Sequence, residues 1–251
     1  MRSTLGATVV SGGSSGIGMA VVQGLLEGGR SVAILDIQQP PEDLAAGEQV
    51  LFVRCDTADP RAVHEAITQV KSRVARIEGL AACAGVGGAS ARQTIGSSQW
   101  DRVRTIVNVN LLGSYWLLES CAAAMSDGSG GSIVLVGSVL SRKGMAGMSA
   151  YSAAKGGVES LARSAAVELA GSGIRVNCVL PGPILTPMSR TGFVADGLSA
   201  EQWTERMAEV VPLNRVGEPR DVASVVLFLL DDRSSYMTGA SLMVDGGANV
   251  G

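Results

Sequence analysis

Ala7-Thr-Val-Val-Ser-Gly12-Gly-Ser-Ser-Gly16-Ile-Gly18-Met-Ala-Val-Val-Gln-Gly-Leu-Leu26 reads as strand, glycine turn and helix. The apolar run Ala7–Ser11 supplies the strand, and residues 19–26 keep a helical pattern until Gly28-Gly29 ends it. A second strand over 31–35 runs into Asp36. A glycine turn that opens a helix offers an anion bare backbone N–H groups and the positive end of the helix dipole. Asp36, 18 residues past Gly18, stands where a carboxylate would hold ribose hydroxyls and repel a 2′-phosphate; a plain strand-end acid is the alternative. The spacing Gly-x-x-x-Gly-x-Gly departs from the commoner Gly-x-Gly-x-x-Gly, so the flanking strand and helix carry the reading.

The alternation continues outward. Val50–Arg54 is a strand ending in Cys55-Asp56, residues 60–75 place Val63, Ile67, Val70 and Val74 at helical spacing, and a strand over 80–83 enters Ala84-Gly85. Asp56 either meets an adenine amino group or caps the helix after it. Residues 86–98 are polar and glycine-rich, hence a loop. One long helix is predicted over 99–125; Asn110 on it needs partners, and serves structure or holds a water. Residues 128–131 break that helix, and 132–137 form a buried strand ending at Ser138. A helix to about residue 170, a strand over 174–180, a rigid turn over 181–186, a helix over 219–230 and a strand over 240–244 follow. This order predicts an α/β fold, a doubly wound parallel sheet flanked by helices on both faces. Ligands of such sheets lie beyond the C-terminal strand ends, where Gly12, Gly16, Gly18, Asp36, Asp56, Gly85 and Ser138 would gather. Without repeat or linker, residues 1–251 are expected to form one domain.

Composition narrows the function. Of 251 residues 46% are apolar and 17% charged, which suits a large core rather than disorder. A net charge of −3, with no basic run beyond Arg142-Lys143, argues against nucleic acid as a partner. Cys55, Cys83, Cys121 and Cys178 are scattered, as reduced thiols of a cytoplasmic protein would be. The single histidine, His64, leaves no His-based triad or clustered metal site. The first strand starts too early for a signal peptide, and no apolar run reaches membrane-spanning length, so a soluble protein is expected.

Tyr151 and Lys155, four apart, share a helix face among Ala150, Ser152, Ala153, Ala154, Gly156 and Gly157, small residues that leave room for a ligand. A solvated lysine beside a half-buried tyrosine is the bland alternative. Free tyrosine has a pKa of about 10, too high for a base at neutral pH. An ammonium about 4 Å away contributes on the order of 4 kcal/mol at an effective dielectric of about 20, or roughly 3 pH units. That would bring the phenol near working pH.

Taken with Gly12–Gly18 and Asn108-Val-Asn110-Leu-Leu-Gly113, Ser138 thirteen residues before Tyr151, and Arg175-Val-Asn-Cys-Val-Leu-Pro-Gly-Pro183, the chain resembles the classical short-chain dehydrogenase/reductase (SDR) family along nearly its whole length. The resemblance implies a Rossmann-type fold and hydride transfer between a nicotinamide and a secondary alcohol or ketone. It implies Tyr151 as general acid/base, Ser138 on the reacting oxygen, Lys155 on the nicotinamide ribose and Asn110 ordering a water. Cofactor contacts are implied at Gly12, Ser14, Ser15, Gly16, Ile17, Gly18, Asp36, Ile37, Asp56, Thr57, Ala84, Gly85, Tyr151, Lys155, Pro181, Gly182, Ile184 and Thr186. Asp36, with no positive charge at Ile37, Ser14 or Ser15, favours NAD over NADP. Ser11 in place of threonine keeps a hydroxyl, whereas Ala82-Cys83 stands where two asparagines are common and puts that turn's hydrogen bonds in doubt. Residues 184–211 are expected as a substrate lid, with Met145, Met148, Met188, Phe193, Trp203 and Met207 as pocket walls or lid anchors. Arg142-Lys143 reads as a solvated pair or as a greeting for an anionic substrate. The helix over 152–167 and the segment 242–251 resemble tetramer contacts of the family. A medium-sized apolar, cyclic, aromatic or steroid substrate is favoured. A 3-oxoacyl reductase, and a non-catalytic dinucleotide-sensing protein, are the alternatives.

Overall fold

The computed structural model describes residues 6–126 and 130–250. Seven strands, β1 (Ala7–Ser11), β2 (Ser31–Asp36), β3 (Val50–Arg54), β4 (Ile77–Ala82), β5 (Gly131–Val136), β6 (Ile174–Pro181) and β7 (Ser241–Val244), form one sheet in the order β3-β2-β1-β4-β5-β6-β7. Every pairing is parallel. The helices are α1 (Gly16–Glu27), α2 (Glu42–Ala45), α3 (Pro60–Arg73), α4 (Trp100–Val107), α5 (Gly113–Met125), α6 (Ser149–Leu169), α7 (Pro187–Ala195), α8 (Ala200–Ala208) and α9 (Pro219–Leu230). Adjacent strand residues point to opposite faces. Val9, Leu80 and Ile133 therefore pack with α3, α5 and α6, while Val10, Ala81 and Val134 pack with α1 and α9. The expected doubly wound architecture is the one observed.

The order reverses between β1 and β4, and the crevice at that switch lies at the C-terminal strand ends. The long helix differs from expectation: α4 and α5 are joined by a π-helical turn, Asn108–Leu112, that a regular 3.6-residue pattern does not reveal. Residues 86–98 are also not all loop, since Gly88–Ala91 winds into a 3₁₀ turn. Of the glycine break over 128–131, Gly128 lies outside the described residues; Gly130 leads into β5 with a positive φ of 69°. Among the described residues no helix is long and apolar enough to cross a membrane.

Candidate active site

The loop after β1 is shaped by its glycines. Gly12 and Gly16 have φ of +66° and +54°, which side-chain-bearing residues rarely adopt. A Cβ on Gly18 would stand 2.7 Å from the carbonyl carbon of Gly12. The N-cap Ser15 gives no side-chain bond to α1, and the first turn holds no acid. The amides there stay free for an anion. Asp36 receives N–H bonds from Ser14 (3.1 Å) and Gln38 (3.0 Å), while Ser14 Oγ donates to the Gln38 carbonyl (2.7 Å). The carboxylate thus ties the glycine loop to the end of β2, beside an exposed Ile37.

Across the crevice, the missing asparagines do not loosen the turn after β4. Ser11 Oγ accepts from the Ala84 amide (3.2 Å), and Cys83 N–H donates to the Ser11 carbonyl (3.2 Å). Gly85 is confined from behind: a Cβ there would meet Asn110 Oδ1 at 2.7 Å and Lys155 Nζ at 3.7 Å. Asn110, 0% exposed, accepts from Val86 N–H (3.1 Å) and donates to the carbonyls of Val86 (3.0 Å) and Ile106 (3.0 Å). The π turn carries this amide inward, and its side chain holds the Gly85–Val86 backbone.

Tyr151 and Lys155 lie on α6, and Ser138 follows β5. The Ser138 hydroxyl beside the Tyr151 phenol pulls its pKa down, but burial is the larger effect and leaves it above the ordinary value. Lys155 does not offset this. Its Nζ donates to the Val136 carbonyl (2.8 Å) and stands 5.9 Å from the Tyr151 ring centroid. That bond anchors the ammonium to the end of β5. Burial lowers Lys155 to about 8. The nearby thiols give it no counter-charge at that pH, since burial pushes Cys83 to about 12 and Cys178 to about 11.

The segment from Thr186 through α8 closes the far side. Thr186 caps α7 through Ser189, and a Cβ on Gly16 would come 3.7 Å from Thr186. Arg92 forms a two-pronged pair with Asp196, one arm at 2.7 Å, and the Ala89 amide donates to Thr191 Oγ1 (3.3 Å). Met188 reaches Gly87 beside the Tyr151 ring: a Cβ on Gly87 would meet Met188 Sδ at 2.5 Å and Tyr151 Cε2 at 3.5 Å. Met188 is thus a wall of the cleft. Met148 and Phe193 are buried, Met148 against Ala91 and Ile106, and Phe193 stacked on Trp203 at 5.2 Å, so both anchor the lid and loop.

The remaining predicted positions divide. Gly182 is pressed on Asp245, with a Cβ 2.6 Å from that of Asp245. Ile184 buries its side chain in the core beside Ile17. Thr57 is buried against Gly113; Asp56 accepts from the Ala58 amide (2.9 Å) in the turn before α3, while the cap of that helix is Asp59, which accepts from the Arg61 amide (2.9 Å). Pro181 ends β6 and Ala84 lines the β4 turn. Arg142, exposed on one side, grips Glu159 through Nε (3.0 Å) and Nη2 (2.5 Å), while Lys143 donates to the Ala248 carbonyl (3.3 Å). His64 is exposed, and no His/Cys/Asp/Glu cluster among the described residues could hold a metal. Two residues escaped sequence reasoning. Buried Gln93, its amide oriented by its neighbours, accepts from Ala150 N–H (2.7 Å) and Ser149 Oγ (3.0 Å) and so caps α6. Nothing in its loop signals this. Glu159 sits four residues past Lys155, a spacing that marks an acid on the inner face of α6.

Known proteins share this arrangement. A family model described as enoyl-(acyl carrier protein) reductase matches residues 12–249. Cis-4-hydroxycyclohexanecarboxylate dehydrogenase of Sinomonas cyclohexanicum is 37% identical over 95% of this chain and 94% of its own. The 3-oxoacyl-(acyl-carrier-protein) reductase of Chlamydia pneumoniae is 35% identical over 95% of both chains. Among solved structures, levodione reductase superposes with a TM-score of 0.91, at 31% identity, covering 99% of each chain.

Proposed function

The chain belongs to the short-chain dehydrogenase/reductase family of oxidoreductases acting on alcohols and ketones, and on that premise we propose an NAD(H)-dependent enzyme with Tyr151 as its general acid/base. The observation that carries this reading is the juxtaposition of Ser138, just past the end of β5, with Tyr151 on a helix whose Lys155 lies buried one turn away. When bound, the nicotinamide would take or give the hydride. Ser138 Oγ donates to the substrate oxygen, and Tyr151 Oη gives that oxygen a proton in reduction or removes it in oxidation. The charge of Lys155, one turn along α6, favours the phenolate.

The glycine cradle fits a dinucleotide: bare amides at Gly16, Ile17 and Gly18 suit a pyrophosphate, and Gly85 gives a side-chain-free surface beside Lys155. Asp36 supports NAD over NADP, because the carboxylate is fixed by two amides and has no cation beside it at Ile37. Asn110 orders the site by holding the Val86 backbone, with a water of the proton relay as its further role. Met188 over the cleft supports a medium-sized apolar or cyclic substrate. A single catalytic domain, a homotetramer contacting through the helix over 152–167 and the segment 242–250 (Gly251 lies outside the described residues), and a cytoplasmic location with its four free thiols complete the proposal. The likeness to a 3-oxoacyl reductase keeps that substrate class as the second reading. NADH formation across a panel of secondary alcohols, run beside NADP, tests the proposal. Turnover retained in Tyr151→Phe would sink it.

A further inference from the structure

Glu159 is a carboxylate that the proposed chemistry does not use, yet it is only 6% exposed. It lies four residues beyond Lys155 and eight beyond Tyr151, on the same face of α6. Oε2 accepts from Ser141 Oγ (2.7 Å); Oε1 accepts from Arg142 Nε (3.0 Å) and Nη2 (2.5 Å) and from Arg163 Nη1 (3.3 Å). Ser141 and Arg142 close the short turn that Ser138 opens. Ser138 Oγ accepts from Leu140 N–H (3.2 Å), Ser141 N–H donates to the Ser138 carbonyl (3.0 Å), and Arg142 N–H to the Val139 carbonyl (3.0 Å). On the other side of Ser138, Lys155 Nζ holds the Val136 carbonyl (2.8 Å). The segment bearing Ser138 is therefore fastened to the Tyr151 helix at two points that straddle it.

We propose that Glu159 is a positioning residue that, through Ser141 and Arg142, sets the Ser138 hydroxyl against Tyr151. A carboxylate this far from water needs its donors, and charge-assisted bonds to a guanidinium and a hydroxyl fix direction as well as distance. Burial pushes its pKa up, but the bonds from Arg142 and Ser141 outweigh burial and keep the group ionised. Arg142, exposed on its outer side, has many poses in isolation; the buried carboxylate selects one. The inference rests on the reading in which Ser138 binds the reacting oxygen.

A double-mutant cycle tests it. Glu159→Gln keeps the volume and loses the charge, and kcat is expected to fall on the order of 10- to 100-fold, the scale of a small misplacement of a reacting group. The NADH Kd should stay within about twofold, and in a Ser138→Ala background the same substitution should change kcat by less than about twofold, since it then has nothing left to position. Arg142→Gln repeats the test from the turn side should Glu159→Gln fold poorly, and there a smaller loss is expected because the Ser141 bond remains. Arg142→Lys should recover part of it. Losses that multiply with that of Ser138→Ala, or unchanged kcat in folded Glu159→Gln, would overturn the positioning role alone. Wild-type turnover in Ser138→Ala would overturn the reading of Ser138 and this inference together.

Discussion

Two glycines of α1 make a controlled experiment on the nucleotide loop. Both Gly18 and Gly24 lie in regular helix, and a Cβ on either would run into a neighbour, but the neighbours differ in kind. At Gly18 the obstacle is backbone: the Gly12 carbonyl carbon at 2.7 Å, the oxygen closer still, and Gly13 Cα at 3.1 Å. Gly12 cannot retreat freely, because its N–H is bonded to the Leu35 carbonyl (2.9 Å) and a Cβ on Gly12 itself would meet Ala84 at 2.9 Å. Ordinary contact begins near 3.4 Å, so the loop and helix must part by about 1 Å. At Gly24 the obstacle is the tip of Leu227 on α9, which can change rotamer. Alanine in place of a helical glycine gains about 1 kcal/mol, which roughly offsets that repacking. Gly18→Ala is therefore expected to lose about 2 kcal/mol net, a fall in Tm of roughly 4–8 °C for a chain of this size. Its NADH Kd, read by fluorescence titration, should rise by about tenfold or more, because the displaced amides are those offered to the pyrophosphate. Gly24→Ala should stay within about 1 kcal/mol of wild type with unchanged Kd. A Gly18→Ala protein that binds NADH normally, or a Gly24→Ala protein that loses binding equally, would refute the reasoning.

Three further tests follow from the geometry. Asp36→Ala with Ile37→Arg should raise the NADP-to-NAD ratio of kcat/KM by on the order of 10-fold or more; since Asp36 also holds two amides, Asp36→Asn isolates charge from loop support, and unchanged selectivity in the double variant removes the argument for NAD. Gln93→Leu should cost about 1–3 kcal/mol in urea denaturation and lower kcat, because Ala150 N–H and Ser149 Oγ lose their acceptor at the start of the catalytic helix; a neutral effect would show that the cap is idle. Asp221 accepts from Arg215 and from the Glu218 amide, chiefly the former, and sits at about 2 instead of 3.8. Its folded pKa is depressed, so the stabilisation is complete above pH 3.8 and disappears as pH falls through 2; Asp221→Asn should cost about 1 kcal/mol at pH 7, after allowance for solvent screening, and almost nothing at pH 2.

Much of this was legible beforehand, for a physical reason. Parallel strands buried on both faces are short apolar runs, and Ala7–Ser11 and the β6 region stood out as such. Glycine marks backbone that turns with positive φ or packs too closely for a Cβ, and Gly12, Gly16, Gly18 and Gly85 are such positions. What stayed hidden was relational. Where the Arg142 guanidinium is held depends on a carboxylate seventeen residues away, and where the Lys155 ammonium is anchored depends on a free carbonyl at Val136. Thr57 and Ile184 lie at expected positions with their side chains turned inward, a distinction that a one-dimensional pattern does not carry.

The π turn over Asn108–Leu112 has a consequence for how the long helical segment is phased. Each residue of an α-helix advances about 100° around the axis, so one residue accommodated by a wider turn rotates everything after it by about that angle. The stripe that seats Ile106 against Met148 and Ala150 thus hands over to a different stripe, bearing Leu117 and Cys121, that faces the sheet. One rod serves two surfaces that no single amphipathic pattern could serve at once. The point of handover is where Asn110 turns inward to the crevice, so removing a single residue there would misalign the α5 face and withdraw the amide together.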